Sequence, residues 1–314
     1  MTAHAPAAEL VATKPAARAA SGRDYLLLLF LSALWGWSFP LIKIGVTTLP
    51  PLWVASGRIG LGAIALLVYM QIRGTRLPRG RSTWLRLGYI GIVGNIVPFG
   101  LISWGEVRVP SGVAAILMAM VPMMVVVVAH FRLPDEPLTV GKSMGVILGI
   151  IGTLVLIGPS AISDLGSGFS SSFAGELAIL VATICYASSA LAGRGLPPMP
   201  AESASGAMLL VAAPLGLIAA SIIDPPWTLA PSAGSIAAVV TLGVLCTGLG
   251  LVLFFGILSR AGAGFASMNN FLVPPFSVVY GRFGMAERLP GSAFAAMGLI
   301  LLGLAVQRLK LRRR

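Results

Sequence analysis

The chain has 314 residues, of which 57% are hydrophobic and only 10% charged, and its mean hydropathy is +0.93. A soluble domain carries about 25% charged residues, so this balance excludes a water-soluble fold and implies a polytopic membrane protein. The net charge of +12 does not point to nucleic acid, because the basic residues flank apolar runs as topology signals do.

Residues 1–24 are alanine-rich with scattered charges and lack an apolar core of about 7–15 residues. They are expected to be a disordered cytoplasmic tail rather than a cleaved signal peptide. A hydrocarbon core about 30 Å thick needs about 20 apolar residues per helix. By that measure the chain holds ten candidate spans, at 25–46, 52–72, 84–104, 110–130, 140–157, 174–192, 203–223, 235–258, 264–284 and 291–308.

Lys and Arg concentrate on one side of this arrangement, at Arg73, Arg76, Arg79, Arg81, Arg86, Arg132, Lys142, Arg194 and Arg260, together with both chain ends. The opposite side keeps Arg108 and Arg288, and Arg282 lies near it. The asymmetry predicts both termini in the cytoplasm. It also makes the C-terminal basic run a lipid-headgroup anchor.

Residues 110–157 form an apolar run around Pro122, a polar turn holding Glu136, and a second, glycine-spaced run. The plan returns about 150 residues later: Pro274 and Pro275 answer Pro122, Glu287 answers Glu136, and Gly303 answers Gly152. Earlier positions match as well, with Leu34–Ser38 facing Ile184–Ser188. Two repeats of five helices, 25–158 and 174–308, must therefore enter the membrane from opposite sides, because five is odd. Inverted repeats of this kind are a frequent plan of secondary transporters, which bind substrate near the midplane between the halves.

Cys185 and Cys246 lie inside apolar runs and His4 and His130 lie outside the span interiors, so no metal site, cofactor or catalytic constellation is expected. Lys43 and Arg58 are the cations inside spans away from their cytoplasmic ends. Lys43 either snorkels to the headgroups or captures a ligand carboxylate. Arg58 is expected to reach the outer interface or a backbone carbonyl. Asp and Glu all fall at span ends, which argues against a proton relay built on a central carboxylate.

Neutral polar and aromatic residues are the pocket candidates: Trp35 and Ser38 on one helix face, Asn95 and Phe99 on another, Tyr186 with Ser189, and Ser267 with Asn269 and Asn270. An asparagine facing lipid would leave its amide unsatisfied, so these side chains should face the interior, either toward a ligand or toward another helix. Pro40, Pro98, Pro122, Pro274 and Pro275 each remove a backbone bond within a span and are candidate hinges. Gly88, Gly91 and Gly94, and the pair Gly145 and Gly149, read as close-packing positions.

Leu34-Trp35-Gly36-Trp37-Ser38-Phe39-Pro40, with Lys43 and Gly45, resembles the opening helix of EamA-type members of the drug/metabolite transporter superfamily. Pro122 followed by Glu136-Pro137-Leu138-Thr139 and by Gly145, Gly149 and Gly152 resembles the close of each EamA repeat. The resemblance covers residues 25–306. It implies ten helices in two inverted repeats, export of small metabolites, and a cavity lined by helices one, three, four, six, eight and nine. Within the superfamily the chain looks most like the YddG-type exporters of aromatic and other amino acids. Two departures stand out. Glu287-Arg288-Leu289-Pro290 replaces the usual Glu-Pro, and the first span lacks the carboxylate of the related small multidrug pumps, so their exchange mechanism is not carried over.

The expectation is thus an all-α secondary transporter of a bacterial inner membrane, neither an enzyme nor a nucleic-acid binder, monomeric or homodimeric. It would export small amphipathic metabolites, amino acids first, by alternating access. A sugar-phosphate, nucleotide-sugar or drug carrier and a passive channel are the alternatives.

Overall fold

Among the described residues ten helices cross the molecule in sequence, and the local chemistry at their ends sets where each begins. The computed structural model describes residues 20–133, 136–164 and 171–308. Most of the expected tail, through residue 19, the connection 165–170 and the basic C-terminal residues 309–314 lie outside the described residues. No strand occurs among the described residues.

The helices are α1 (Gly22–Gly45), α2 (Pro51–Arg73), α3 (Arg81–Glu106), α4 (Ser111–Arg132), α5 (Val140–Asp164), α6 (Ser171–Gly193), α7 (Ala201–Ile223), α8 (Ala233–Gly262), α9 (Asn269–Gly284) and α10 (Gly291–Arg308). The first eight are long and apolar enough to cross a membrane. α10 is shorter, and α9, at 16 residues, reaches about 24 Å at 1.5 Å per residue. A turn of helix before α9, ending at Ala266, extends it toward the α8 end, beyond the kink at Gly262, where φ is 82°.

Ser21 and Asp24 form a capping box at the start of α1, with Ser21 N donating to Asp24 Oδ2 at 3.0 Å and Ser21 Oγ donating at 2.7 Å. Arg260 Nε donates to the other Asp24 oxygen at 3.1 Å, which ties the start of α1 to the end of α8. α2 starts with Pro51, whose missing N–H costs nothing in a first turn, and stops at Gly74 in the left-handed region.

Two of the expected hinge prolines, Pro122 and Pro98, interrupt their helices in a way that follows from their chemistry, and Pro274 lies within a continuous one. Pro122 would press its ring on the carbonyl four residues back, and α4 is accordingly broken after Met118 by a turn at Ala119 and Met120. Pro98 has no N–H for the Gly94 carbonyl, and α3 widens into a π-helix over Ile92–Ile96 just before it. Pro274 likewise has no N–H for the Asn270 carbonyl inside α9. Pro40 is buried within a continuous α1, and Pro275 sits beside Pro274.

The packing follows the repeat. α1 lies on α9 as α6 lies on α4, α2 meets α8 as α7 meets α3, and α2–α7, α4–α9 and α5–α10 are pairs of equivalent helices. Two of the small-residue positions sit in these contacts, Gly91 against the Met208 backbone and Gly145 against Gly303, and Gly94 lies under Ser189 where α3 meets α6. The second π-helix, Leu242–Leu249, lies in α8. α8 is the third helix of its repeat, as α3 is of the first, so the two π-helices occupy equivalent places.

Candidate functional site

Between the repeats lies a cavity of about 340 Å³, at the lower end of the range of about 300–1,000 Å³ usual for small-molecule pockets. Its wall comes from α1, α2, α3, α4, α6, α7, α8 and α9. Among the described residues α5 and α10 add nothing to it, and neither is among the lining helices that the resemblance implied. α2 and α7 had not been expected in the wall.

Trp35 enters from α1 and donates its indole Nε1–H to the Cys246 carbonyl in the π-helix of α8 at 2.9 Å. The close fit needs Gly250, where any Cβ would meet that indole nitrogen at 2.5 Å. Ser38, one turn on, gives its hydroxyl to the Trp35 carbonyl at 2.6 Å. Asn269 accepts from Ser32 Oγ at 2.8 Å. The hydrogen-bonding groups of Trp35 and Ser38, and the amide oxygen of Asn269, are therefore committed to holding helices in place.

Asn95, Tyr186 and Asn270 differ. Each lines the cavity, and none has a side-chain hydrogen bond to another described residue. Asn95 sits buried in the π-helix of α3 and lines the cavity from there. The Tyr186 ring meets Phe99 edge-on, with centroids 6.3 Å apart. Met118, Met208, Leu251 and Val273 supply apolar wall.

Among the described residues Arg58 brings the only formal charge to the lining. It is 8% exposed, seven residues from the start of α2, so it lies about 10 Å along the helix, inside a hydrocarbon core about 30 Å thick. Its Nε donates to Thr247 Oγ1 at 2.9 Å, and the guanidinium carbon lies 4.1 Å from the Phe99 ring centroid. Thr247 in turn donates to the Leu242 carbonyl five residues back, at 3.0 Å. The side chain is thus clamped between the α8 π-helix and an aromatic face.

The two cations do not sit where the sequence reading put them. Arg58 does not reach the outer interface. Lys43 is absent from the cavity: its ammonium donates to the backbone carbonyls of Glu106, in a short contact, and of Val109 at 2.9 Å. It closes the buried carbonyl end of α3, where a helix dipole favours a cation. Ser189 also misses the wall because its side chain packs over Gly94, with its hydroxyl 3.3 Å from the Tyr186 carbonyl. Ser267 lies in the turn before α9 and donates to the Gly264 carbonyl at 2.8 Å. Of the candidate hinges, Pro274 touches the cavity; Pro40, Pro98, Pro122 and Pro275 do not.

A family model for EamA-like transporters matches residues 23–158 and again 173–308. The chain belongs to the EamA-like transporter family. Each match coincides with one five-helix repeat, so this EamA chain carries the family unit twice. An uncharacterized transporter of Archaeoglobus fulgidus is 26% identical over 290 residues, covering 90% of this chain and 98% of that protein. The uncharacterized inner membrane transporter YedA of Escherichia coli K12 is 27% identical over 277 residues, 87% of each chain. A probable terminal-alkyne amino-acid exporter of Streptantibioticus cattleyicolor is 26% identical over 280 residues, covering 85% of this chain and 89% of that one. A solved crystal structure of 21% identity superposes with a TM-score of 0.66 over 94% of this chain and all of that one, which establishes the fold. This EamA protein is therefore a multi-pass membrane transporter with its cavity at the junction of two family repeats.

Sequence reasoning passed over Arg58 and Thr247 as site residues. The available signal was the cost of an arginine within an apolar span. What it could not supply was the α8 π-helix that receives the side chain.

Proposed function

We propose that this chain is a secondary transporter that exports small amphipathic metabolites, amino acids first, from the cytoplasm of a bacterium across its inner membrane. The carrying observation is the cavity between the repeats, apolar over most of its wall, with unbonded polar groups on Asn95, Tyr186 and Asn270. The size of the cavity suits a small molecule, and the relative named as an amino-acid exporter supports the substrate class. The charge bias of the connections supports cytoplasmic termini.

Alternating access is the mechanism this architecture suits. The repeats touch at both ends of the cavity. On the side of the termini, Asp24 pairs with Arg260 and Ser203 Oγ donates to the Arg76 carbonyl at 2.6 Å. On the far side, Trp53 Nε1 donates to the Asp224 carbonyl at 2.8 Å, and Glu287 accepts from the Ser111 N–H and hydroxyl at 2.9 Å each. Opening one face requires one set of contacts to part while the other holds. A sugar-phosphate carrier would call for paired cations, and among the described residues one cation lines this wall.

The test is purified protein in liposomes, assayed for saturable, trans-stimulated movement of aromatic and aliphatic amino acids. Counterflow of at least one supports the reading. Failure of every amino acid overturns the substrate class, and flux without saturation or counterflow overturns the carrier in favour of a channel.

A further inference from the structure

We infer that Arg58 is the substrate anchor and that it selects cargo by a carboxylate, so that the α-amino group of an amino acid is not required for recognition. This rests on the transport reading above and narrows its substrate class to small amphipathic carboxylates, zwitterionic or not.

Three observations carry it. First, the guanidinium is buried and no carboxylate lies within ion-pair distance among the described residues. A buried charge without a counter-charge is costly, and Phe99 and the Thr247 hydroxyl offset only part of that cost through a cation–π contact and one hydrogen bond. Glu106 acts on Arg58 through space, but no bond joins them and its oxygens have no hydrogen-bond partner among the described residues. Second, Nε is the guanidinium nitrogen held by the protein, so the two terminal nitrogens have no bonded partner among the described residues. Those nitrogens form the fork that fits a carboxylate with two parallel hydrogen bonds. Third, the wall has no Asp or Glu among the described residues. An ammonium group would find amide oxygens, a phenol and aromatic faces there, but no opposite charge.

A structural role alone, pinning α2 to α8, would use the Nε bond to Thr247 and leave the terminal nitrogens without purpose. The two roles separate in a specificity measurement. Three probes of one shape serve: phenylalanine, phenylpropanoate, which lacks the amine, and phenethylamine, which lacks the carboxylate. Each is used to compete against phenylalanine counterflow in liposomes and, independently, to quench tryptophan fluorescence of the detergent-solubilised protein, since Trp35 lines the cavity.

Phenylpropanoate should match phenylalanine, and phenethylamine should be weaker by at least about tenfold, the worth of one charge-assisted hydrogen bond. Arg58→Gln should erase the preference for phenylpropanoate over phenethylamine, and Arg58→Lys should keep part of it. Equal competition by phenethylamine and phenylpropanoate in the unmodified protein overturns the inference while transport stands, and this comparison needs no variant to fold. Selective quenching by the carboxylates without counterflow of any probe upholds the anchor and overturns the transporter reading instead. A folded Arg58→Gln protein that retains full carboxylate preference assigns Arg58 to helix packing and overturns the inference.

Discussion

Ser32 Oγ donates to Asn269 Oδ1 at 2.8 Å across the α1–α9 contact, with both side chains buried. The bond divides two adjacent asparagines into different kinds of residue. Asn269 is a link between helices that also touches the cavity; Asn270 lines the cavity with no side-chain hydrogen bond to a described residue. Asn269→Ala should leave the single Ser32 hydroxyl hydrogen to the Leu28 carbonyl, 2.7 Å away, and destabilise the fold by about 0.5–1.5 kcal/mol, the net worth of one hydrogen bond. Asn270→Ala should lower amino-acid counterflow and leave thermal unfolding in detergent unchanged. Melting curves of the two variants beside their transport rates check this, and a lowered melting point for Asn270→Ala would return it to helix packing.

Gly145 and Gly303 bring the backbones of α5 and α10 close together. A Cβ on either would lie 2.7 Å from the carbonyl oxygen of the other, and a backbone carbonyl cannot rotate out of the way as a side chain can. Gly145→Val should therefore force the helices apart at about 1–3 kcal/mol, the usual effect of overpacking. Because α5 and α10 contribute nothing to the cavity wall among the described residues, the half-saturating substrate concentration of the folded fraction should not move. Fluorescence-detected size exclusion gives the folded amount and counterflow gives the affinity. A changed affinity would show that this contact does more than hold the scaffold.

The helices were legible because a bilayer demands long apolar stretches whatever their packing, and the repeat was legible because Pro122, Glu136 and Gly152 recur at matching offsets. The cavity was partly legible for a related reason. Asn95 and Asn270 are expensive to leave in lipid, so their inward direction follows from chemistry alone. The roles of Arg58 and Lys43 were not legible, because a long cationic side chain has several ways to be satisfied and the choice depends on tertiary neighbours. Lys43 met the carbonyl end of α3, and Arg58 met Thr247. The π-helices that present Asn95 and Thr247 break the 3.6-residue period on which face assignment depends. Met118 and Met208 carried no signal, since an apolar wall and a lipid-facing surface use the same residue types.

Glu136 accepts from Lys142 Nζ at 3.1 Å and from Arg194 Nη1 at 3.0 Å, joining the α4–α5 connection to the end of α6. The hydrogen bond from Lys142, then that from Arg194, holds its carboxyl below the ordinary carboxylate range. A lowered folded-state value means that the stabilisation is present above the ordinary pKa, about 4.3 for Glu, and is lost as pH falls through the folded-state value. The site is solvent-accessible and the effect small. Glu136→Gln should melt slightly below the unmodified protein at pH 7, and the gap should close below about pH 4 or on adding salt. Melting curves over that range decide it; a gap that persists in acid would assign the loss to something other than the ion pairs.

Thr48 and Ser232 bring the far ends of α1 and α8 together: Ser232 N donates to Thr48 Oγ1 at 3.0 Å, and the two hydroxyl oxygens are 3.3 Å apart. Ser232 also caps α8 by accepting from Ser235 N at 3.1 Å, and Ser235 Oγ donates to the Ile44 carbonyl at 3.0 Å, so the contact is continuous with both helix ends. If the repeats rock, this junction must part whenever the cavity opens on the far side. Paired cysteines at 48 and 232 fall within reach of a disulfide, whose Cβ atoms stand about 3.5–4.5 Å apart. In a Cys185→Ser background, Thr48→Cys with Ser232→Cys should lose counterflow on oxidation and regain it with reductant, while either single substitution transports in both conditions. The physical reason is that the bond holds one face shut without touching the cavity wall, so the substrate can be bound but not exchanged. Fully cross-linked protein that still supports counterflow would mean that these helix ends stay together throughout the cycle, and the moving boundary would have to lie elsewhere.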